Sequence, residues 1–231
     1  MTKDVFTLTS PDGQTTELPV RKGTTGPDVI DIGQLFAERG VFTYDPGFFS
    51  TGSCDSKITY INGKEGVLMY RGYRVEQLAE YSSFIEVAYL LLYGELPTAN
   101  ELSGFETSIT RHTMLNEGML RFFNGFRYDA HPMAVVSGVV GSMSAYYHDT
   151  MDLKSPEARE IFAHRIIAKL PTIAAAAYKL TAGEPFIYPR NDLKYAENFL
   201  RMLFAVPAEE YAIDELAAQA LDLLFILHAD H

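Results

Sequence analysis

Six histidines, His112, His131, His148, His164, His228 and His231, are the side chains of this chain most easily poised for proton transfer near neutral pH. Their neighbours rank them. His228-Ala229-Asp230-His231 sets two imidazoles three residues apart, on adjacent positions of one helical face, with a carboxylate between them. A zinc pair takes roughly three to five intervening residues and a third ligand, and the sequence has neither His-Glu-x-x-His nor a cysteine pair, so no metal is expected. Pattern alone favours packed or hydrogen-bonded helix-end histidines over ligand contacts here. A second group is basic: Arg111-His112-Thr113-Met114 on one helix, and Arg165 and Lys169 at i and i+4 on another. Together they could bind an anion. Solvated helix faces carry the same pattern, and spacing alone does not bring the two helices together.

Other chemistries lack their central parts. No glycine-rich phosphate loop of either usual form occurs, and Gly63-Lys64-Glu65-Gly66 reads as a turn, which sets aside kinase, GTPase and dinucleotide-fold readings. No Gly-x-Ser-x-Gly element presents a nucleophilic serine. The single cysteine, Cys54, cannot form an internal disulfide; among Ser53, Asp55 and Ser56 it reads as a small, partly buried residue, and a cytoplasmic location is expected. The 30 acidic and 19 basic residues give a formal charge of -11, which repels phosphate backbones and anionic lipid surfaces. Nucleic acid and membranes are therefore poor partners, whereas a few arginines in a closed cleft still serve a single anionic ligand. No stretch approaches the roughly 18 continuous apolar residues of a membrane helix.

The elements that must position these residues fall into two regions. Residues 1–72 predict a small β-containing region. Val5 to Thr9 alternates ahead of Pro11-Asp12-Gly13, and Lys57 to Ile61 and Gly66 to Tyr70 flank Asn62-Gly63, a dipeptide that tolerates the positive φ of tight turns. From residue 73 to 231 the period becomes helical. Ser83 with Glu86 and Thr98 with Glu101 fit capping boxes, and Gly94 and Pro97 separate the two helices. Further helices are predicted at 132–147, 156–182 with a kink at Pro171, and 192–205. Alanines 174–177 imply close helix contacts. Asp214 to His231 predicts an amphipathic helix with Leu216, Ala217, Ala220, Leu223, Leu224 and Leu227 on a core-facing side, and with no stop residue at its end. A chain truncated at His231 is the expectation that follows.

Three passages together resemble the citrate synthase family. They are Ser53-Cys54-Asp55-Ser56-Lys57-Ile58-Thr59-Tyr60-Ile61-Asn62-Gly63 running into Tyr70-Arg71-Gly72-Tyr73, then Tyr188-Pro189-Arg190-Asn191-Asp192-Leu193, and Ile226-Leu227-His228-Ala229-Asp230-His231. Val29-Ile30-Asp31-Ile32, the stretch Gly40 to Phe48, Arg111 to Met114 and His131-Pro132-Met133-Ala134 resemble its Gram-negative, type II branch. The resemblance implies a mainly α fold, a helical large domain with a small N-terminal β region, represented by an N-terminal fragment. It implies an acyltransferase condensing acetyl-CoA with oxaloacetate and water to citrate and CoA, without a resident cofactor, in a homodimer or a hexamer of dimers. The catalytic histidine and aspartate and the carboxylate-binding arginines are implied to lie beyond residue 231. His231 matches an oxaloacetate-contacting histidine, with His228 and Asp230 in support. Arg111, His112, Thr113, Met114, Tyr147, Arg165 and Lys169 match the positions where NADH inhibits the type II branch, although Ala208 replaces a cysteine some relatives carry nearby. The alternatives are 2-methylcitrate synthase, which uses propionyl-CoA, and a non-catalytic helical module that binds a nucleotide.

Overall fold

The structure is a computed structural model that describes residues 4–230. The chain divides into two units, Met1–Arg74 and Val75–His231.

In the first unit, β1 (Val5–Thr9) and β2 (Thr15–Arg21) form an antiparallel hairpin with Val5 opposite Pro19, and β3 (Val29–Ile30) joins the other edge of β2. Thr16 and Leu18 are buried while their neighbours in the strand are exposed, the period of a sheet with one covered face. The short helix α1 (Leu35–Arg39) is tied to β2 by Arg39, whose guanidinium donates to Gln14, to the Thr15 carbonyl and to the Thr16 hydroxyl. A second sheet holds β4 (Thr59–Asn62), β5 (Val67–Tyr70) and β6 (Tyr73–Arg74) in that order. Its first turn differs from expectation. Asn62 Oδ1 accepts from the Lys64 and Glu65 amides at 3.2 and 3.3 Å, an Asx turn, and the left-handed residue is Gly66 at φ 66° rather than Asn62 or Gly63. Cys54 is exposed, not partly buried, because the whole stretch 52–58 faces solvent.

The second unit is helical: α2 (Val75–Tyr81), α3 (Phe84–Tyr93), α4 (Ala99–Arg111), α5 (Glu117–Phe123), α6 (Pro132–Ser142), α7 (Pro156–Ala182), α8 (Tyr195–Phe204) and α9 (Glu215–Leu227). Both capping boxes form, so local side chains satisfy the first amides of α3 and α4, and Gly94 closes α3 at φ 97°. One core gathers Met119 and Phe123 of α5, Val135 and Val139 of α6, and Ile173, Ala176 and Ala177 of α7, where small alanines let α6 approach. Another joins Ile85 and Ala88 of α3, Phe105 and Ile109 of α4, and Ala168 of α7. No described helix is long and apolar enough to cross a membrane.

Helix α7 runs through Pro171 without interruption. Proline has no amide hydrogen for the carbonyl four residues earlier, that of Ile167. The Tyr195 hydroxyl donates to that carbonyl at 2.8 Å instead, so α8 supplies the bond that α7 cannot make for itself.

Three predicted helices differ in extent. The first stops at Ser142 and continues as 3-10 turns at Met143–Ala145 and His148–Thr150. The Ser142 and Ser144 hydroxyls bond back to Val139 O and Gly141 O at 2.7 and 3.1 Å, and the chain leaves the α geometry there. Helix α8 begins at Tyr195, because Asp192 is engaged by the Arg190 guanidinium in the preceding turn. Helix α9 ends at Leu227 without glycine, asparagine or proline: the His228 amide donates to Leu224 O at 3.2 Å and its Nδ1 meets the same carbonyl at 2.8 Å. The face of α9 predicted to meet a core is uncovered among the described residues. Leu216 is 76% exposed, and Leu223, Leu224 and Leu227 are exposed too. The packed side carries Ala218, Asp222, Phe225 and Ile226, because Phe225 meets Phe84, Tyr195 and Phe199, and Asp222 Oδ2 accepts from the Phe84 amide at 3.0 Å.

Candidate functional site

The C-terminus of α4 carries the negative end of its dipole, and its last carbonyls are met by the residues that follow, Ser108 O and Ile109 O by His112 and Thr110 O by the Thr113 hydroxyl. Lys169, 3% exposed on α7, sits there and donates to His112 O and Met114 O, each at 2.5 Å. The next turn of α7 adds a third link, Thr172 Oγ1 donating to Thr113 O at 2.9 Å. Helix α7 is thus bonded to the end of α4 by a cation and a hydroxyl. No carboxylate is among the described partners of Lys169. Burial, and then the neighbouring Arg165, bring its pKa down from the usual lysine value to about 8.

Arg165 lies one helical turn before Lys169, and both cations lie over one ring, Tyr147, at 5.0 Å from its centroid. The guanidinium forks onto Asp149, Nη1 to Oδ1 and Nη2 to Oδ2, each at 2.7 Å. This pairing raises the Arg165 pKa and lowers that of Asp149 below the ordinary carboxylate range. Burial raises the Tyr147 phenol. Tyr147 itself stands outside regular helix, at φ -126°, just before the 3-10 turn that carries Asp149.

Behind these residues runs a hydrogen-bonded row joining α3, α4 and α7. The Tyr93 hydroxyl donates to Glu160 Oε1 at 2.6 Å, so its oxygen accepts from His164 Nε2 at 2.8 Å. Nδ1 of His164 is then left to accept from the Ser108 hydroxyl at 2.9 Å. Burial depresses the His164 pKa, against the opposing pull of Glu160 and with His112 adding to the effect. His112 Nδ1 meets the Ser108 carbonyl at 2.7 Å.

Six of the seven residues expected at a nucleotide site therefore meet at one junction: His112, Thr113 and Met114 through their carbonyls, and Tyr147, Arg165 and Lys169 through their side chains. Arg111 is exposed at the last position of α4. His228 caps α9 and is exposed, Asp230 is half-buried beyond the helix, and His231 lies outside the described residues. The expected pairing of His228 with His231 on one helical face therefore lies outside the described residues. Among the described residues no three His, Cys, Asp or Glu side chains could share a metal ion. The sequence reading missed Asp149, which lies in an irregular turn with no periodicity to mark it, and the Tyr93, Glu160 and Ser108 partners of His164. A cleft of about 980 Å³ between α2, α3, α4, α7, α8 and α9 includes Glu86, Glu106, Glu197 and Asp222 in its wall; of the expected site residues only Thr113 lines it. Those carboxylates make it a poor place for an anion.

The family model described as citrate synthase, C-terminal domain, matches residues 47–231. The citrate synthase of Pyrobaculum aerophilum is similar at 30% identity and a TM-score of 0.72, over 100% of this chain and 50% of that one. That of Thermotoga maritima MSB8 is 31% identical with a TM-score of 0.68, over 82% of this chain and 47% of its own. The citrate synthase of Thermoplasma acidophilum, solved as a ternary complex with carboxymethyl coenzyme A and oxaloacetate, matches in fold at 24% identity and a TM-score of 0.72, over 80% and 47% of the two chains. This chain spans about half the length of these proteins. With the family model covering most of its residues, the chain belongs to the citrate synthase family.

Proposed function

We propose that the protein to which this chain contributes condenses acetyl-CoA with oxaloacetate. The methyl carbon of the acetyl group bonds to the oxaloacetate carbonyl carbon, and water then releases CoA from the thioester to leave citrate. The observation that carries this reading is the likeness to the Pyrobaculum citrate synthase along the whole of this chain. His231 is proposed to contact oxaloacetate, with His228 and Asp230 holding the chain that leads to it. The proton transfers and carboxylate clamps are assigned to residues outside this chain. Release of CoA thiol from acetyl-CoA by the full-length protein, dependent on oxaloacetate, is the expected result; a clear preference for propionyl-CoA would move the assignment to 2-methylcitrate synthase. His231→Ala is expected to raise KM for oxaloacetate more than KM for acetyl-CoA.

The junction of α4 and α7 is proposed as a regulatory nucleotide site of the type II kind, with NADH as inhibitor. Support comes from a buried ammonium with no carboxylate among its described partners, beside an arginine and an aromatic ring, a set suited to a negatively charged, partly aromatic ligand. Assembly into homodimers or larger oligomers belongs to the same reading. Titration of the full-length enzyme with NADH is expected to give inhibition that Lys169→Met and Arg165→Gln both weaken. A nucleotide response unchanged in both variants would remove the site from this junction.

A further inference from the structure

Arg165 already holds an anion. Its two donating nitrogens meet both oxygens of Asp149 at 2.7 Å, the forked geometry that a phosphate group would also take. The arginine side chain is 14% exposed and that of Asp149 59%, so the cation is fixed inward and its partner faces solvent. The turn beneath Asp149 is itself anchored: Thr150 Oγ1 donates to Tyr147 O at 3.1 Å, and Arg159 of α7 donates to Leu153 O at 2.7 Å. Rotation of one exposed aspartate side chain therefore vacates Arg165 without unfolding anything.

We propose that Asp149 is an internal competitor for ligands of this junction, its carboxylate occupying the place on Arg165 that a ligand phosphate must take. The proposal rests on the reading of the junction as a nucleotide site and adds a selection rule to it. A ligand with a single negative charge exchanges one monoanion for another and gains little. A pyrophosphate group brings more charge to Arg165 and to Lys169, whose ammonium is bonded only to neutral carbonyls among its described partners, and it displaces the aspartate. The contact thus sets a threshold that favours pyrophosphate-bearing ligands over carboxylates and simple salts.

The test uses the full-length protein and its Asp149→Asn variant, which keeps the shape of the side chain and removes its charge. Titration calorimetry at low ionic strength follows inorganic pyrophosphate and NADH separately. Phenylglyoxal modification of Arg165, read by mass spectrometry, follows the freed guanidinium without any nucleotide. Removing the competing charge is expected to tighten pyrophosphate binding about two- to fivefold, the range an ion pair with one solvent-facing partner supplies, and to speed modification of Arg165 severalfold, with pyrophosphate protecting it. Adding Asp149→Asn to Arg165→Gln is expected to give no gain. If pyrophosphate tightens but NADH binds neither protein, the competitor role stands and the NADH reading falls. If NADH binds both proteins equally, the nucleotide reading stands and the competitor role is overturned. Failure of both probes to bind either protein overturns both.

Discussion

Two buried lysines on α7, ten residues apart, perform the same structural task, one at the middle of the helix and one near its C-terminal end. Lys169 meets the carbonyls that follow α4, and Lys179, 1% exposed, donates to Ala205 O at the end of α8 at 2.8 Å. Each places a cation on the negative pole of a neighbouring helix. They differ in how the charge is completed. Lys179 also bonds the Glu184 carboxylate, so its charge is neutralised within the fold. Lys169 has neutral carbonyls, a like charge in Arg165 and a shared aromatic ring. A buried cation closed off by its own carboxylate is part of the scaffold, whereas one left with carbonyls is where an external anion gains most.

The two lysines should differ first in what they contribute to stability. Lys179→Met is expected to cost about 3 kcal/mol, because it strands the Ala205 carbonyl and removes a charge-assisted bond. Lys169→Met is expected to cost about 1 kcal/mol or less, since relief from burying an uncompensated charge offsets the two lost bonds. Denaturant unfolding of both variants gives the difference, and equal losses would erase the distinction between the two lysines. Second, Tyr195→Phe is expected to cost about 1–1.5 kcal/mol by orphaning Ile167 O, and much less in a Pro171→Ala background, where α7 recovers its own amide donor. A double-mutant cycle without coupling would contradict that account.

Lys169 also makes stability depend on pH. The folded pKa of Lys169 lies near 8, below its unfolded value of 10.5, so between those values the unfolded chain binds more protons. The penalty for burying the charge is therefore full below pH 8 and is relieved as pH rises toward 10.5. Stability should climb through that window in the parent protein and lose this component in Lys169→Met, as melting curves at pH 7.5 and 9.5 would reveal. The smallest effect is expected at His164. Its depressed pKa means stability is lost as pH falls below the unfolded value near 6.5, and His164→Gln should flatten that decline.

Local devices were legible in the sequence. The boundaries of α7 and both capping boxes follow from side chains reaching amides three residues away, a distance that spacing encodes directly. The i, i+4 spacing put Arg165 and Lys169 on one face. What spacing could not contain was their partners: Asp149 comes from an irregular turn, and the carbonyls of 112 and 114 lie past a helix end. Helix α9 also packs here through a side that spacing does not single out. It is apolar on several sides, so periodicity alone does not pick out the one that packs on α3, where Asp222 is the carboxylate that accepts from the Phe84 amide.

That carboxylate has a consequence in time. The Phe84 amide and Asp222 are 138 residues apart in the chain. At roughly 5–20 residues per second of synthesis, α3 exists for about 7–28 seconds before the residue that completes its first turn has been made. The Ser83 and Glu86 capping box, available within three residues, carries the start of α3 through that interval. Docking of α9 closes a loop of this length, which makes it a late step in folding and the one most exposed to interruption.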